Sequence, residues 1–139
     1  MKIALGQIKV KQGQPTENLV AMRRMIEQAK AEHADLIVFP EMALSGYCLQ
    51  DQWLDLDWCR NLDSFNDELL ALSEGIGILY GNLWNKPLGQ AVCGRDGRPI
   101  RCNAAYFCYN QKWVKKEKDA LDGIYIKHLN PDYRVFDDS

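Results

Sequence analysis

Leu36-Ile37-Val38-Phe39-Pro40 is the stretch on which the fold class turns. Four apolar residues halted by a proline are too short for a helix and predict a buried strand, covered on both faces. Upstream, Leu19, Met22, Ile26 and Ala29 recur at steps of three and four, with Arg23, Arg24, Glu27, Gln28 and Lys30 largely between them. That spacing predicts an amphipathic helix of about four turns. Pro15 suits its first turn, where no intrahelical N–H is needed, and Glu17 sets a carboxylate near the positive end of the helix dipole. Further back, residues 2–10 alternate loosely between apolar and polar and predict a strand with one buried face. Gly13 and Pro15 punctuate its exit. Strand, helix, strand opens an α/β fold with parallel pairing.

Downstream, Phe65, Leu69, Leu70 and Leu72 predict a helix over 62–74, capped by Asn61 or Asp63. Ile76-Gly77-Ile78-Leu79-Tyr80-Gly81 predicts another buried strand. Residues 83–99 carry Pro87, Gly89, Gly94, Gly97 and Pro99 and read as loop. Residues 100–109 and 112–116 predict an antiparallel hairpin turning at Asn110-Gln111. A polar segment, Glu117–Gly123, leads to a short strand at 124–127, and the final stretch from Asn130 lacks helical periodicity. No repeat, linker or low-complexity tract divides residues 1–139, which read as one domain or part of one, with no second domain.

Composition narrows the function classes. The 139 residues are 47% hydrophobic and 26% charged, with four Trp, six Tyr and four Phe. That much apolar surface argues against disorder. A net charge of -2 and a pI near 5.7 give no footprint for nucleic acid. The densest basic stretch, Lys115-Lys116-Glu117-Lys118, reads as a solvated strand end. No apolar run approaches the roughly 18 residues of a membrane span, and the start turns polar too early for a signal peptide. A cytoplasmic location is the default expectation. Five Cys, at 48, 59, 93, 102 and 108, with two His, 33 and 128, form no zinc pattern, and no metal is expected. Reduced, mostly buried thiols are expected instead.

Glu41 follows the decisive strand directly, and ligands of open α/β sheets gather beyond the carboxyl ends of strands. By position alone it reads as a solvated acid. The string Phe39-Pro40-Glu41-Met42-Ala43-Leu44-Ser45-Gly46-Tyr47, with Asp35-Leu36-Ile37-Val38 before it, resembles the first catalytic segment of the nitrilase superfamily of carbon–nitrogen hydrolases. Asn103-Ala104-Ala105 resembles that superfamily's Tyr-Asn-(Ala/Ser)-Ala segment, with Cys102 in the Tyr place; alone, such small residues signify close packing. Lys127-His128-Leu129-Asn130-Pro131-Asp132-Tyr133-Arg134-Val135-Phe136-Asp137 resembles the Lys-x-x-x-Pro-x-Tyr-x-Val-Phe-Asp segment of the glutaminase domains of glutamine-dependent NAD synthetases. Without that context Lys127 would be a strand-end lysine reaching for water and Tyr133 a half-buried aromatic. Gly46-Tyr47 with Leu49-x-Asp51 also resembles the synthetase version of the Glu segment.

The resemblance implies the front portion of an α-β-β-α nitrilase-type sandwich. It makes Glu41 the general base, Lys127 the oxyanion-stabilising cation, and Tyr47 and Tyr133 pocket residues for glutamine. The nucleophile it implies is a Cys following the Lys segment, whereas all five Cys here precede Lys127. The expectation is a partial glutaminase domain unable to turn over glutamine alone. It needs no cofactor of its own; ATP and Mg would belong to a separate synthetase domain, its expected partner, to which ammonia passes for amidation of deamido-NAD. Exposed sheet edge predicts a homo-oligomer. Departures from the pattern are the Glu117–Gly123 insertion, Asn130 at a usually apolar place, and Asp138 where Glu is usual. A part of another nitrilase-type amidase, or a non-catalytic binding relic, are the alternatives.

Overall fold

Leu36–Val38 does form a strand, and two neighbours flank it in parallel. In the computed structural model, which describes residues 1–85, 100–115 and 122–127, β1 is Ile3–Leu5, α1 Pro15–Ala31 and β2 Leu36–Val38. Helix α2 spans Leu56–Leu72, and β3 spans Gly77–Asn85. Strands β4 (Arg101–Tyr109), β5 (Lys112–Trp113) and β6 (Ile124–Ile126) complete one mixed sheet. Its order is β1-β2-β3-β4-β5, with β6 also on β4. Pairings β1–β2 and β2–β3 are parallel; those of β4 with β3, β5 and β6 are antiparallel. The fold is α/β, as expected.

Helix α1 buries Leu19, Met22, Ile26 and Ala29, the stripe its spacing predicts. With Leu69 of α2 they cover Ile37, Ile78, Tyr80, Ala104, Tyr106 and Cys108. The register sets these strand residues side by side on one face, since alternate residues of a strand share a face. Tyr80 and Tyr106 stack there with ring centroids 5.3 Å apart. Coverage of β2 on both faces is corrected: Ile37 is buried, but Leu36 and Val38, pointing away from the helices, are half-buried.

Two further boundaries differ from expectation. Strand β1 ends at Leu5, not at residue 10. Beyond it, the buried Asn18 side chain bonds both the N–H and the carbonyl of Lys11 and donates to the carbonyl of Leu44, while Gly13 N–H bonds Ser45. The loosely alternating residues 6–10 therefore lead into a loop held by side chains. Helix α2 begins at Leu56, not 62, because Asp55 caps it by accepting from the N–H groups of Asp57 and Trp58. Its first turns bury Cys59 and Leu62 in a second cluster with Met42, Leu49, Trp53 and Leu83. Residues 83–85, expected as loop, extend β3.

The hairpin turns at Asn110 and Gln111, whose φ values of 48° and 58° match the two-residue turn that suits strand twist. Its tip docks on the end of α2 through Ser73 and Gly75. The loop expected over 86–99, Lys116–Lys118, most of the Glu117–Gly123 segment, Cys93, His128, Asn130, Tyr133 and Asp138 lie outside the described residues. No described helix is long and apolar enough to cross a membrane.

Candidate functional site

The sheet face turned away from the helices carries the site. On β3, Leu79 and Gly81 point to it; on β4, Asn103 and Ala105 do. Strand β6 pairs Ala105 with Tyr125, and Lys127, next beyond the strand, donates its N–H to the Asn103 carbonyl at 2.9 Å. Tyr125 and Lys127 thus share that face. With Val38 and Glu41 these residues line a cavity of about 460 Å³.

Glu41 reaches the cavity from a tight turn. Its neighbours Met42, Ala43, Leu44 and Ser45 are fully buried, whereas the Glu41 side chain is half exposed. Met42 takes φ of 51°, costly for a residue with a side chain, and its carbonyl accepts from Gly46 N–H. Beneath the turn lies Gly81. A Cβ there would stand 2.3 Å from Met42 N and 2.8 Å from Glu41 Cα. A glycine inside a strand often marks such close backbone approach. Nothing in the sequence reading assigned Gly81 a role beyond membership of its strand.

Glu41 Oε1 accepts from Lys127 Nζ at 2.8 Å, across 86 positions of chain. It also accepts from Asn103 Nδ2 at 2.5 Å. The Lys127 hydrogen bond holds the Glu41 carboxyl below its ordinary range against the opposing effect of burial, with Asn103 adding to the lowering. Lys127 is raised in turn, first by the Glu41 hydrogen bond, with electrostatic contributions from Glu41 and Tyr47. Both groups are therefore charged at neutral pH.

Tyr47 is half-buried and packs against the second cluster, outside the residues that line the cavity. Tyr125, unremarked in the sequence, does line it. Tyr133 is outside the described residues. Among the described cysteines none lines the cavity; Cys59, Cys102 and Cys108 are buried and Cys48 is exposed. Burial raises the Cys59 thiol and pushes Cys108 up to about 11, away from a reactive thiolate. Among the described residues no cluster of His, Cys, Asp and Glu could hold a metal ion. A carboxylate, an ammonium and an amide on one partly apolar cavity can accept a proton and stabilise a developing negative charge.

The carbon–nitrogen hydrolase family model matches residues 2–96. The chain is 33% identical, over 140 aligned positions, to the glutamine-dependent NAD(+) synthetase of Synechocystis sp., covering 98% of this chain and 22% of that protein. It is 29% identical to the Xylella fastidiosa glutamine-dependent NAD(+) synthetase over 99% of this chain and 22% of the relative. The chain thus spans about a fifth of the length of these relatives. Among solved structures, the glutamine-dependent NAD+ synthetase of Acinetobacter baumannii in complex with ADP superposes with a TM-score of 0.70 at 25% identity, over 99% of this chain and 24% of that one. An amidase from Nesterenkonia sp. AN1 in complex with butyramide gives a TM-score of 0.76 at 18% identity, over 100% and 48% of the two chains, a likeness of fold.

Proposed function

The chain belongs to the carbon–nitrogen hydrolase family, and from that premise we propose that it forms part of the glutaminase site of a glutamine-dependent NAD synthetase. The observation that carries this reading is the Glu41–Lys127 pair, joined at 2.8 Å on the cavity. Whole-chain likeness to curated synthetases supports it.

In the proposed reaction Glu41 takes the proton of a cysteine thiol supplied by a segment outside this chain, and the thiolate attacks the side-chain amide carbon of glutamine. The Lys127 ammonium stabilises the oxyanion of the tetrahedral intermediate. As that intermediate collapses, the C–N bond breaks and protonated Glu41 returns its proton to the leaving ammonia. Water, deprotonated by Glu41, then cleaves the thioester to glutamate. Tyr133 is proposed to contact the glutamine, as is Tyr47, which lies outside the cavity lining but near enough to Lys127 to act on its charge. Ammonia would pass to a synthetase domain that uses ATP and Mg to amidate deamido-NAD. Covering the half-exposed Glu41 with substrate and the cysteine-bearing segment would remove water and raise its pKa toward the working pH, which suits a base.

Replacing Glu41 by Gln in the full-length protein tests the assignment. Glutamine-dependent NAD synthesis should be lost while ammonia-dependent synthesis persists. Equal loss of both would make Glu41 structural.

A further inference from the structure

Asn103 is 3% exposed, yet its side chain reaches Glu41 from β4 while its backbone holds Lys127. The register explains how one residue does both. Asn103 sits opposite Leu83 on β3 and, by the antiparallel pairing of β4 with β6, opposite Lys127. Its carbonyl accepts the Lys127 N–H, which orients the strand end from which Nζ reaches Glu41. Its amide donates to the same carboxylate oxygen that Nζ binds, Oε1. Among the described residues no donor reaches Oε2. A carboxylate whose one oxygen is held by a cation and an amide keeps its most available lone pairs on the other.

We propose that Asn103 is a positioning residue that fixes both the Glu41 carboxylate and the Lys127 backbone, holding Oε1 and leaving Oε2 as the atom that exchanges protons. The general-base half of this inference rests on the glutaminase reading; the coupling of Asn103 to Glu41 does not. A neutral donor suits the place. An apolar residue there would remove a bond to the charged form of Glu41, and a carboxylate would set a like charge against it. Among the described residues Lys127 is the charged group that acts on Glu41, and the titratable side chain of Tyr125 lines the same cavity.

The test is a carboxyl titration followed by NMR on the 139-residue chain labelled with 13C-glutamate, with Glu41→Gln assigning the Glu41 signal. Asn103→Leu, which keeps the branched side-chain skeleton but has no donor, should raise the Glu41 midpoint by at least about 0.5 pH unit, because a hydrogen bond to the ionised form is lost. Asn103→Asp, which keeps the shape of Asn should the Leu variant not fold, should raise it further. In the full-length protein the acid limb of kcat/KM for glutamine should move the same way, with kcat reduced about tenfold and KM little changed. An unchanged Glu41 midpoint in either folded variant overturns the inference, even if Glu41→Gln abolishes glutamine use. If Glu41→Gln instead leaves glutamine use intact, the glutaminase reading fails, while the titration still decides whether Asn103 holds Glu41.

Discussion

Glu41 and Lys127 shift each other's titration in the directions that keep both charged. The signs set the window. Glu41, lowered on folding, contributes stability that is present above the ordinary carboxylate range and lost as pH falls through its lowered value. Lys127, raised on folding, contributes stability present below the ordinary lysine range and lost as pH rises through its raised value. Partial exposure keeps both contributions small. On the proposed reading their value lies in chemistry. On that reading, Lys127→Ala in the full-length protein should return the Glu41 titration toward the ordinary range and cut glutamine hydrolysis by roughly 10²–10³-fold. Lys127→Arg should restore little, because a planar fork does not replace a compact ammonium in a tight site. Steady-state rates against pH check both; wild-type rates in Lys127→Ala would place Lys127 outside the reaction.

Elements meet this site through two devices that can be broken separately. The turn bearing Glu41 lies on β3 at Gly81, where a methyl group meets backbone atoms that cannot swing aside. In the full-length protein, Gly81→Ala should destabilise by about 1–3 kcal/mol and displace Glu41, so that on the proposed reading glutamine use falls more than stability explains. Gly77→Ala, on the same strand, supplies the control. Its Cβ would first meet the end of the Leu36 side chain, at 3.0 Å, and glutamine use should survive. Thermal melts paired with activity assays separate the two; equal behaviour of both variants would dismiss the special role of Gly81. Helix α2 depends instead on Asp55. Asp55→Ala leaves the first N–H groups of α2 uncapped and should cost about 1 kcal/mol, seen as a drop of about 3–5 °C in melting temperature.

Across the whole molecule, Cys chemistry and sheet edges yield the remaining expectations. None of the described cysteines lines the cavity, and on the proposed reading the nucleophile follows Lys127, whereas all five Cys precede it. The 139-residue chain should therefore release no ammonia from glutamine, and a glutamine-like thiol reagent should label none of its cysteines selectively. Stoichiometric labelling of one cysteine, blocked by glutamine, would place the nucleophile within this chain. Strand β1 ends the order of the described sheet, with Ile3 and Leu5 48% and 66% exposed. An apolar strand edge of this kind favours pairing with another copy. Sedimentation should show association that grows with concentration and weakens in Leu5→Lys; an unchanged distribution would assign any association to another surface.

Local pattern carried the reading wherever neighbours in sequence are neighbours in space. The buried stripe of α1, Pro15 in its first turn and the Asn110-Gln111 turn follow from periods and turn chemistry within a few residues. Glu41 and Lys127 were singled out by resemblance of short strings, since a carboxylate after a strand and a lysine after another carry no local signal of meeting. Their junction depends on long-range pairings, Ala105 with Gly81 and Ala104 with Ile126, which no periodicity encodes. The same holds for the end of β1, decided by Asn18 and Ser45, and for the early start of α2, whose first turns are buried by Met42, Trp53 and Leu83. Asn103 and Gly81 are the clearest cases. In sequence Gly81 is a glycine within a strand, and Asn103 stands out only through the resemblance of its short segment. Their part in holding Glu41 exists only once strands far apart in the chain lie at hydrogen-bonding distance, where a single amide can reach a carboxylate and a single missing Cβ admits a turn.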